Sequence, residues 1–538
     1  AAPRITRAPG RSSRNSCKPE AKTASIAHST GEERLDRALG WYESCYLRRA
    51  RGKSRRRPNK SDVLIGAGST EATESFIMRY LHIAIGCLVF GSATLAQAQD
   101  AEGPTPAPPS VTSTEAPAPV VADASVDSQA LAPMPVVADP EPVDDGLQIS
   151  VTGQVRLRGE VWEGSLNPAL NTDVELTHLR NRLAVTLSRG NISAIIAFQD
   201  TRTLGETGNT VADSEGVDLR RGALKVDRLF DTETSLEAGR MVLAYGDQRL
   251  IGHLEWVNQG RTFDGMKVRI NPSSTIWADF FVTETRETTV DHNDQYFGGA
   301  YANYNPGNGL QSELYALTLV DRLEALGEEG QMDTTSFTTL GLREAYKTGA
   351  IDAALEAVAQ FGTFTGDDMF AYGLMARAAY TLQDVVAKPR LGAEFVLGSG
   401  DSDPLDGERG NLQNLFPTNH LFYGYADKAG WTNLTAVRGS LGIVPLSDWK
   451  VNWDYHHLRL TDPAAGWFNV GGANVRPGDP AASSHLGDEI DTVVTYLWAK
   501  GLVAQAGYAV FMPGAFVDDT GGGDTAHFGY LQLAATFK

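Results

Sequence analysis

From residue 147 the chain alternates. Leu147, Ile149, Val151, Gly153, Val155, Leu157, Gly159 and Val161 fall on one face of an extended strand. Gln148, Ser150, Thr152, Gln154, Arg156, Arg158 and Glu160 fall on the other. A period of two sustained for some 15 residues is more than twice the ~5–6 residues of an ordinary soluble strand. The pattern recurs at 174–189, 191–203, 217–228, 232–244, 262–271, 274–285, 294–305, 310–320, 336–347, 351–364, 368–382, 388–400, 431–445, 447–460, 485–499, 502–514 and 525–538, which makes 18 candidate strands.

The connections alternate too. After even-numbered strands they are short, as at Pro272-Ser273, Gly349-Ala350 and Lys500-Gly501. After odd-numbered strands they are often long, notably 245–261, 401–430 and 461–484. The expectation is an all-β fold: a transmembrane antiparallel β-barrel of about 18 strands, with short periplasmic turns and long extracellular loops, in the bacterial outer membrane. Lipid demands a closed wall with no exposed backbone edge, and this strand number leaves an aqueous lumen. Phe280, Tyr301, Phe370, Tyr372, Tyr380, Trp449, Trp453, Tyr496, Trp498 and Phe528 are the expected aromatic girdles. The rival reading of the same alternation is an exported soluble β-rich protein that binds or cleaves polysaccharide. An adhesin working through its long loops is a third.

The remainder of the chain reads differently. Residues 1–77 hold 16 Lys+Arg against 8 Asp+Glu and precede the first methionine, Met78. They read as upstream translated sequence outside the native protein. Met78 to Ala98 has a basic start, an apolar stretch and small residues at Ala96 and Ala98, which is a signal peptide. Its apolar part, Leu81–Leu95, falls short of the ~20 residues a spanning helix needs. Cys17, Cys45 and Cys87 all precede the expected cleavage point, so the exported chain carries no thiol and no disulfide. Residues 99–146 contain ten prolines, nine acids and no Lys or Arg, the composition of a disordered acidic spacer. The barrel region, 147–538, holds 30 Lys+Arg and 49 Asp+Glu, and the whole chain is −19. That acidity excludes nucleic acid as a partner, because phosphate recognition needs clustered Lys and Arg.

Charge is distributed unevenly within the barrel region. The face that cannot meet lipid collects Arg156, Arg158, Arg180, Arg182, Arg221, Lys225, Arg343, Arg377, Arg390, Arg438 and Lys450, against Glu160, Glu356, Glu394, Asp454 and Asp491. On the lipid face each charge would cost roughly 2–4 kcal/mol near the midplane, so an inward placement is expected. The run 238–265 adds Arg240, Arg249 and Arg261, with Asp247 and Asp264, as a charged constriction or as a salt network fastening a loop to the wall. Two outcomes remain open: a basic lumen that attracts anions or an anionic saccharide, or arginines that pair with acids and stiffen the wall.

One run goes from Ala238-Gly239-Arg240 through Tyr245-Gly246-Asp247-Gln248-Arg249-Leu250-Ile251-Gly252 and Trp256-Val257-Asn258 to Phe263-Asp264-Gly265. Arg180-Asn181-Arg182, Phe198-Gln199-Asp200, Ser399-Gly400-Asp401, Phe416-Pro417-Thr418-Asn419-His420, Asp454-Tyr455-His456 and Phe511-Met512-Pro513-Gly514 accompany it. Together these segments resemble the alginate export family of outer-membrane porins. The resemblance implies an 18-stranded barrel, an arginine-lined lumen passing an anionic polysaccharide, and a monomer embedded among lipid and lipopolysaccharide. The Pro-rich spacer lies outside that family's pattern.

Nothing in the residues points to catalysis. No Gly-x-Ser-x-Gly or His-Glu-x-x-His occurs, and His456 beside Asp454 reads as a lumen hydrogen bond. No cofactor is expected. Asp401, Asp403, Asp406 and Glu408 resemble a calcium loop only in composition, since their spacing misses the EF-hand pattern.

Overall fold

The structure, a computed structural model, describes residues 146–166, 173–204, 216–287, 293–418, 420 and 422–538. The upstream sequence, the signal peptide, the three cysteines and the spacer up to residue 145 lie outside the described residues, as does Asn419.

Among the described residues, eighteen antiparallel strands form one continuous sheet. The first strand, Gln148–Glu163, pairs on one side with the second, Val174–Arg189. On the other side it pairs with the last, Ala526–Phe537, in register from Gly153↔Phe537 to Glu163↔His527. The sheet therefore closes on itself and presents no edge, the condition for a β-structure in lipid. No described helix is long and apolar enough to cross a membrane.

The alternation resolves inside out. Leu147, Ile149, Val151 and Val155 are exposed, while Gln154, Arg156 and Arg158 are buried inside. A soluble sandwich would reverse this pattern, because water would meet the apolar face. The outward belt continues through Leu314, Leu340, Phe361 and Val437. Phe280, Phe370, Tyr372, Tyr380, Trp449, Trp453, Tyr496 and Trp498 join it. Tyr301 and Phe528 do not: both point inward and are buried, contrary to the expected girdle.

Strand ends depart from the sequence pattern where the wall leaves the apolar belt. The expected connection 321–335 is mostly strand: Leu310–Leu326 and Met332–Thr348 continue pairing up to Met332↔Leu326. Beyond lipid both faces tolerate polar residues, so the hydrophobic period stops while the hydrogen-bond ladder runs on. Three long connections lie at one end of the barrel, 242–262, 399–433 and 461–484, and the short turns lie at the other.

The interior is not uniformly polar. Phe263, Phe281, Phe297, Leu317, Phe337, Met369, Met375 and Val396 face inward on the middle strands. They pack with Leu243, Tyr245, Leu250, Ile251, Leu412 and Trp431 from the long loops, and so form a core within the barrel.

Candidate solute pathway

Five arginines on strands 1, 2 and 4 grip the 242–262 loop by its main chain. Arg156 donates to the Glu255, Trp256 and Val257 carbonyls at 2.8, 3.2 and 3.2 Å. Arg158 reaches the Trp256 carbonyl at 2.7 Å, and its guanidinium lies 3.9 Å from the Trp256 ring centroid. Arg180 binds the Glu255 and Val257 carbonyls, and Arg182 the Gln259 carbonyl at 3.0 Å. Arg220, from Val217–Val226, binds the Arg261 carbonyl at 2.9 Å. The loop leaves the wall at Met241 and docks inside the barrel on strands of which the first lies nearly 100 residues away in sequence. Gly260 sits at φ +76°, where a Cβ would lie 2.8 Å from Arg220 Nη1, so both backbone and space call for glycine.

One carboxylate sits amid this cluster. Glu255 accepts from Arg182 at 2.5 Å, Arg220 at 2.6 Å and Arg180 at 3.1 Å. Burial alone would raise its pKa, but Arg180, Arg182 and Arg220 outweigh burial and hold it well below the usual carboxylate range. Burial is also the main force on His253, with Arg220, Arg182 and Arg180 adding to it against Glu255, and its pKa falls to about 4. His253 is therefore neutral at pH 7.

The 399–433 loop also turns inward and zips against the first. Phe416 N donates to the Leu250 carbonyl at 2.9 Å, Gly252 N to the Phe416 carbonyl at 2.8 Å, and Thr418 N to the Gln248 carbonyl at 2.9 Å. A Cβ on Gly252 would meet Thr418 Oγ1 at 2.1 Å, so this approach also needs glycine. Arg261 clamps the seam through the Pro417 carbonyl at 2.8 Å. Arg249, fully buried, reaches Tyr423 and Glu394, each at 3.2 Å. Around Asp247, burial is outweighed by Arg249, Arg343 and Arg377, which lower its pKa.

Ten of the eleven arginines read from the sequence as pathway residues lie inside the barrel, but they form separate groups rather than one ring. Arg156, Arg158, Arg180 and Arg182 sit under the first loop; Arg249 and Arg261 belong to that loop. Arg343 meets Glu313 at 2.6 Å, Arg390 meets Asp352 at 2.6 Å, and Arg438 meets Glu394 at 3.3 Å. Arg377 lies 3.7 Å from Asp247. Arg377, Arg438 and Arg390 keep 26, 21 and 16% of their side-chain surface accessible, so they are the ones that meet solvent within the wall.

Arg240 is a correction. It shares the outward face with Ala238 and Met266 and pairs bidentately with Asp264 at 2.8 and 2.7 Å. Near the loop end of its strand the wall is clear of the lipid midplane, and a paired charge is tolerated there. Neither Arg240 nor Asp264 belongs to a constriction.

Arg220 is an inward arginine that the period-two reading passed over, as is Arg269, which meets the buried Asp279 at 2.6 Å. The register between Ile192–Leu204 and Val217–Val226 shifts at Ala197/Phe198, and this bulge lets Arg220 and Arg221 both point inward. The adjacent pair Arg220-Arg221 was the available signal, since strict alternation would have sent one of them toward lipid. His456 bonds Asp491 at 3.2 Å rather than Asp454. Of the acids compared with a calcium loop, Asp401 and Asp406 approach Glu328 of the neighbouring hairpin, with ligand atoms within 4.8 Å of one another; Asp403 and Glu408 are not in that group.

The sequence profile described as "Alginate export" matches residues 147–530. The chain belongs to the alginate export family. No curated protein sequence matches this family member. Its fold is similar to that of the outer membrane protein OprD of Pseudomonas aeruginosa, 13% identical with a TM-score of 0.50, the match covering 72% of this chain and 93% of OprD. OccK11 (OpdR) of the same organism is 12% identical with a TM-score of 0.49, over 74% of this chain and 98% of its own. Family and fold together identify an outer-membrane channel.

Proposed function

We propose that this channel passes anions, and that an anionic, alginate-like polysaccharide is within its substrate class. The observation that carries this reading is the charge count on one wall. Arg156, Arg158, Arg180, Arg182 and Arg220 meet two carboxylates, Glu160 and Glu255, so positive charge is left over beside the lumen. A low-dielectric wall focuses that field inward, while the acidic loop ends are screened over about 8 Å at physiological salt. On the opposite side Arg377, Arg390 and Arg438 each lie beside a carboxylate, and solvent reaches them.

The same geometry supports a second reading. Each of the ten sequence-read arginines inside the barrel has a carboxylate or carbonyl partner, as in a general diffusion porin whose arginines serve the wall. Reversal potentials of the purified protein in planar bilayers under a KCl gradient separate the two. Anion preference that weakens with salt, and that falls in Arg377→Glu and Arg438→Glu, is the expected result. Cation preference in the wild type would overturn the proposal and leave the diffusion porin.

A further inference from the structure

At the loop end of the outer wall, two histidines and an aspartate converge for a reason local to the backbone. In the strand Trp449–Leu460, His457 lies on the outward face with Trp453 and Tyr455, directly across from Asp488 of His485–Ala499. By alternation His485 should face the lumen, being an odd number of residues from Asp488. The register shifts between Leu458 and Arg459, so that Leu458 opposes Gly487 but Arg459 opposes His485. This bulge returns His485 to the outward face beside His457.

The side chains are already arranged around a common point. His457 Nδ1 lies 2.9 Å from Asp488 Oδ1, and His485 Nε2 lies 3.1 Å from Asp488 Oδ2. The imidazole rings stack with centroids 5.0 Å apart. One donor atom from each of the three residues falls within 4.8 Å of the others. Tyr455 donates its hydroxyl to Asp488 Oδ1 at 2.7 Å and fixes the carboxylate from behind, as outer partners of metal ligands do. His457, His485 and Asp488 keep 37, 31 and 24% of their side-chain surface accessible, so an ion can arrive from solution.

We infer that His457, His485 and Asp488 form a binding site for one divalent transition-metal ion on the outer wall of the barrel. Two imidazole nitrogens and one carboxylate oxygen are a borderline donor set, suited to Zn2+, Cu2+ or Ni2+ rather than to Ca2+ or Mg2+. Bonds of about 2.0–2.1 Å with tetrahedral angles place neighbouring ligand atoms about 3.3 Å apart. The observed 2.9 and 3.1 Å contacts run to different oxygens of Asp488, and the three donor atoms lie within 4.8 Å of one another, so side-chain rotation brings them to one ion. Three protein ligands leave a coordination position for water or an external group. The site is separate from the arginine-lined interior, because its side chains face away from the lumen.

The test uses tag-free barrel folded in detergent, titrated with Zn2+ and, separately, with Cu2+ for electron paramagnetic resonance. One equivalent should bind, with Ca2+ and Mg2+ failing to compete, and the Cu2+ spectrum should carry hyperfine structure from two nitrogens. His457→Ala, His485→Ala and Asp488→Asn should each weaken binding at least tenfold, while heat-modifiable gel mobility shows the barrel still closed. Should one variant fail to close, the other two carry the test. Absence of saturable binding in the wild type, binding unchanged in the closed variants, or a Cu2+ spectrum with fewer than two nitrogens would each show that the three residues are only a rim hydrogen-bond network.

Discussion

Replacing Glu255 with glutamine removes the one carboxylate that Arg180, Arg182 and Arg220 share while keeping its shape. Three charge contacts between 2.5 and 3.1 Å are lost, and all three arginines are almost fully buried. Breaking a buried ion pair costs about 3–5 kcal/mol, mostly because the partner charge is left uncompensated. The loop nevertheless keeps its carbonyl anchors from Arg156, Arg158, Arg180, Arg182 and Arg220. Hydrogen bonds to charged groups contribute about 1.5–3 kcal/mol each, so together they exceed the loss. The variant should fold, with its loop docked and its main conductance level preserved. The lumen gains one unit of positive charge. Across about 8 Å of water a unit charge is worth about 0.5 kcal/mol in favour of an anion and as much against a cation, which is roughly a fivefold rise in the anion-to-cation permeability ratio. Reversal potentials at 10 mM salt should show that rise, and 1 M salt should erase it. An unchanged or lowered ratio would refute the charge argument, and a jump in conductance would refute the carbonyl grip.

Arg240→Glu should leave ion selectivity untouched, because its partner Asp264 lies on the outer face, and should cost at most about 1 kcal/mol of stability as a half-exposed pair; urea unfolding and bilayer recordings check the two halves of this. Docking of the 242–262 loop should weaken in acid in two stages. His253 titrates at about 4 when docked, against about 6.5 when free, so the undocked loop takes up a proton first and stability falls between those values. That stage is worth about 3 kcal/mol at most and should vanish in His253→Gln. Glu255, whose docked pKa is depressed, adds a second loss only as pH drops below its ordinary value of about 4.3; channel noise against pH reads both stages. Gly260→Ala should destabilise the docked loop by about 1–3 kcal/mol through strain at positive φ and the clash with Arg220, seen as faster proteolysis within 242–262.

How far the sequence carried depended on which solvent enforced the pattern. Lipid demands an apolar residue at every second position, so strands such as Gln148–Glu163 and Ile351–Phe364 were legible almost residue by residue. Arg240 shows what that rule decides when it is applied. Its parity with Leu236 and Ala238 points outward, whereas the constriction reading of 238–265 rests on charge gathered around a long loop and takes no account of parity. Arg220 and His485 were hidden by bulges, which move a side chain across the wall without any change in composition. The apolar inward face, with Phe263, Phe297 and Phe337, carries no signal of its own, because the loops that cover it come from elsewhere in the chain. The sequence marks 245–261 as long, glycine-rich and charged, but its docking place is fixed by contacts such as Arg158 to Trp256, 98 residues apart.

The arginine grip on main-chain oxygens has a bearing on how such channels diversify. A carbonyl is present whatever side chain a residue carries, so substitutions at Val257 and Gln259 leave the hydrogen bonds at those positions intact, whereas Trp256 packs on Arg158 and His420 and Asn258 anchors the loop with its own side chain. Tolerance is lopsided: strict on the wall, where each guanidinium must stay, and permissive at those held residues whose side chains anchor nothing. Lineages can thus vary Val257 and Gln259 while inheriting the mooring unchanged.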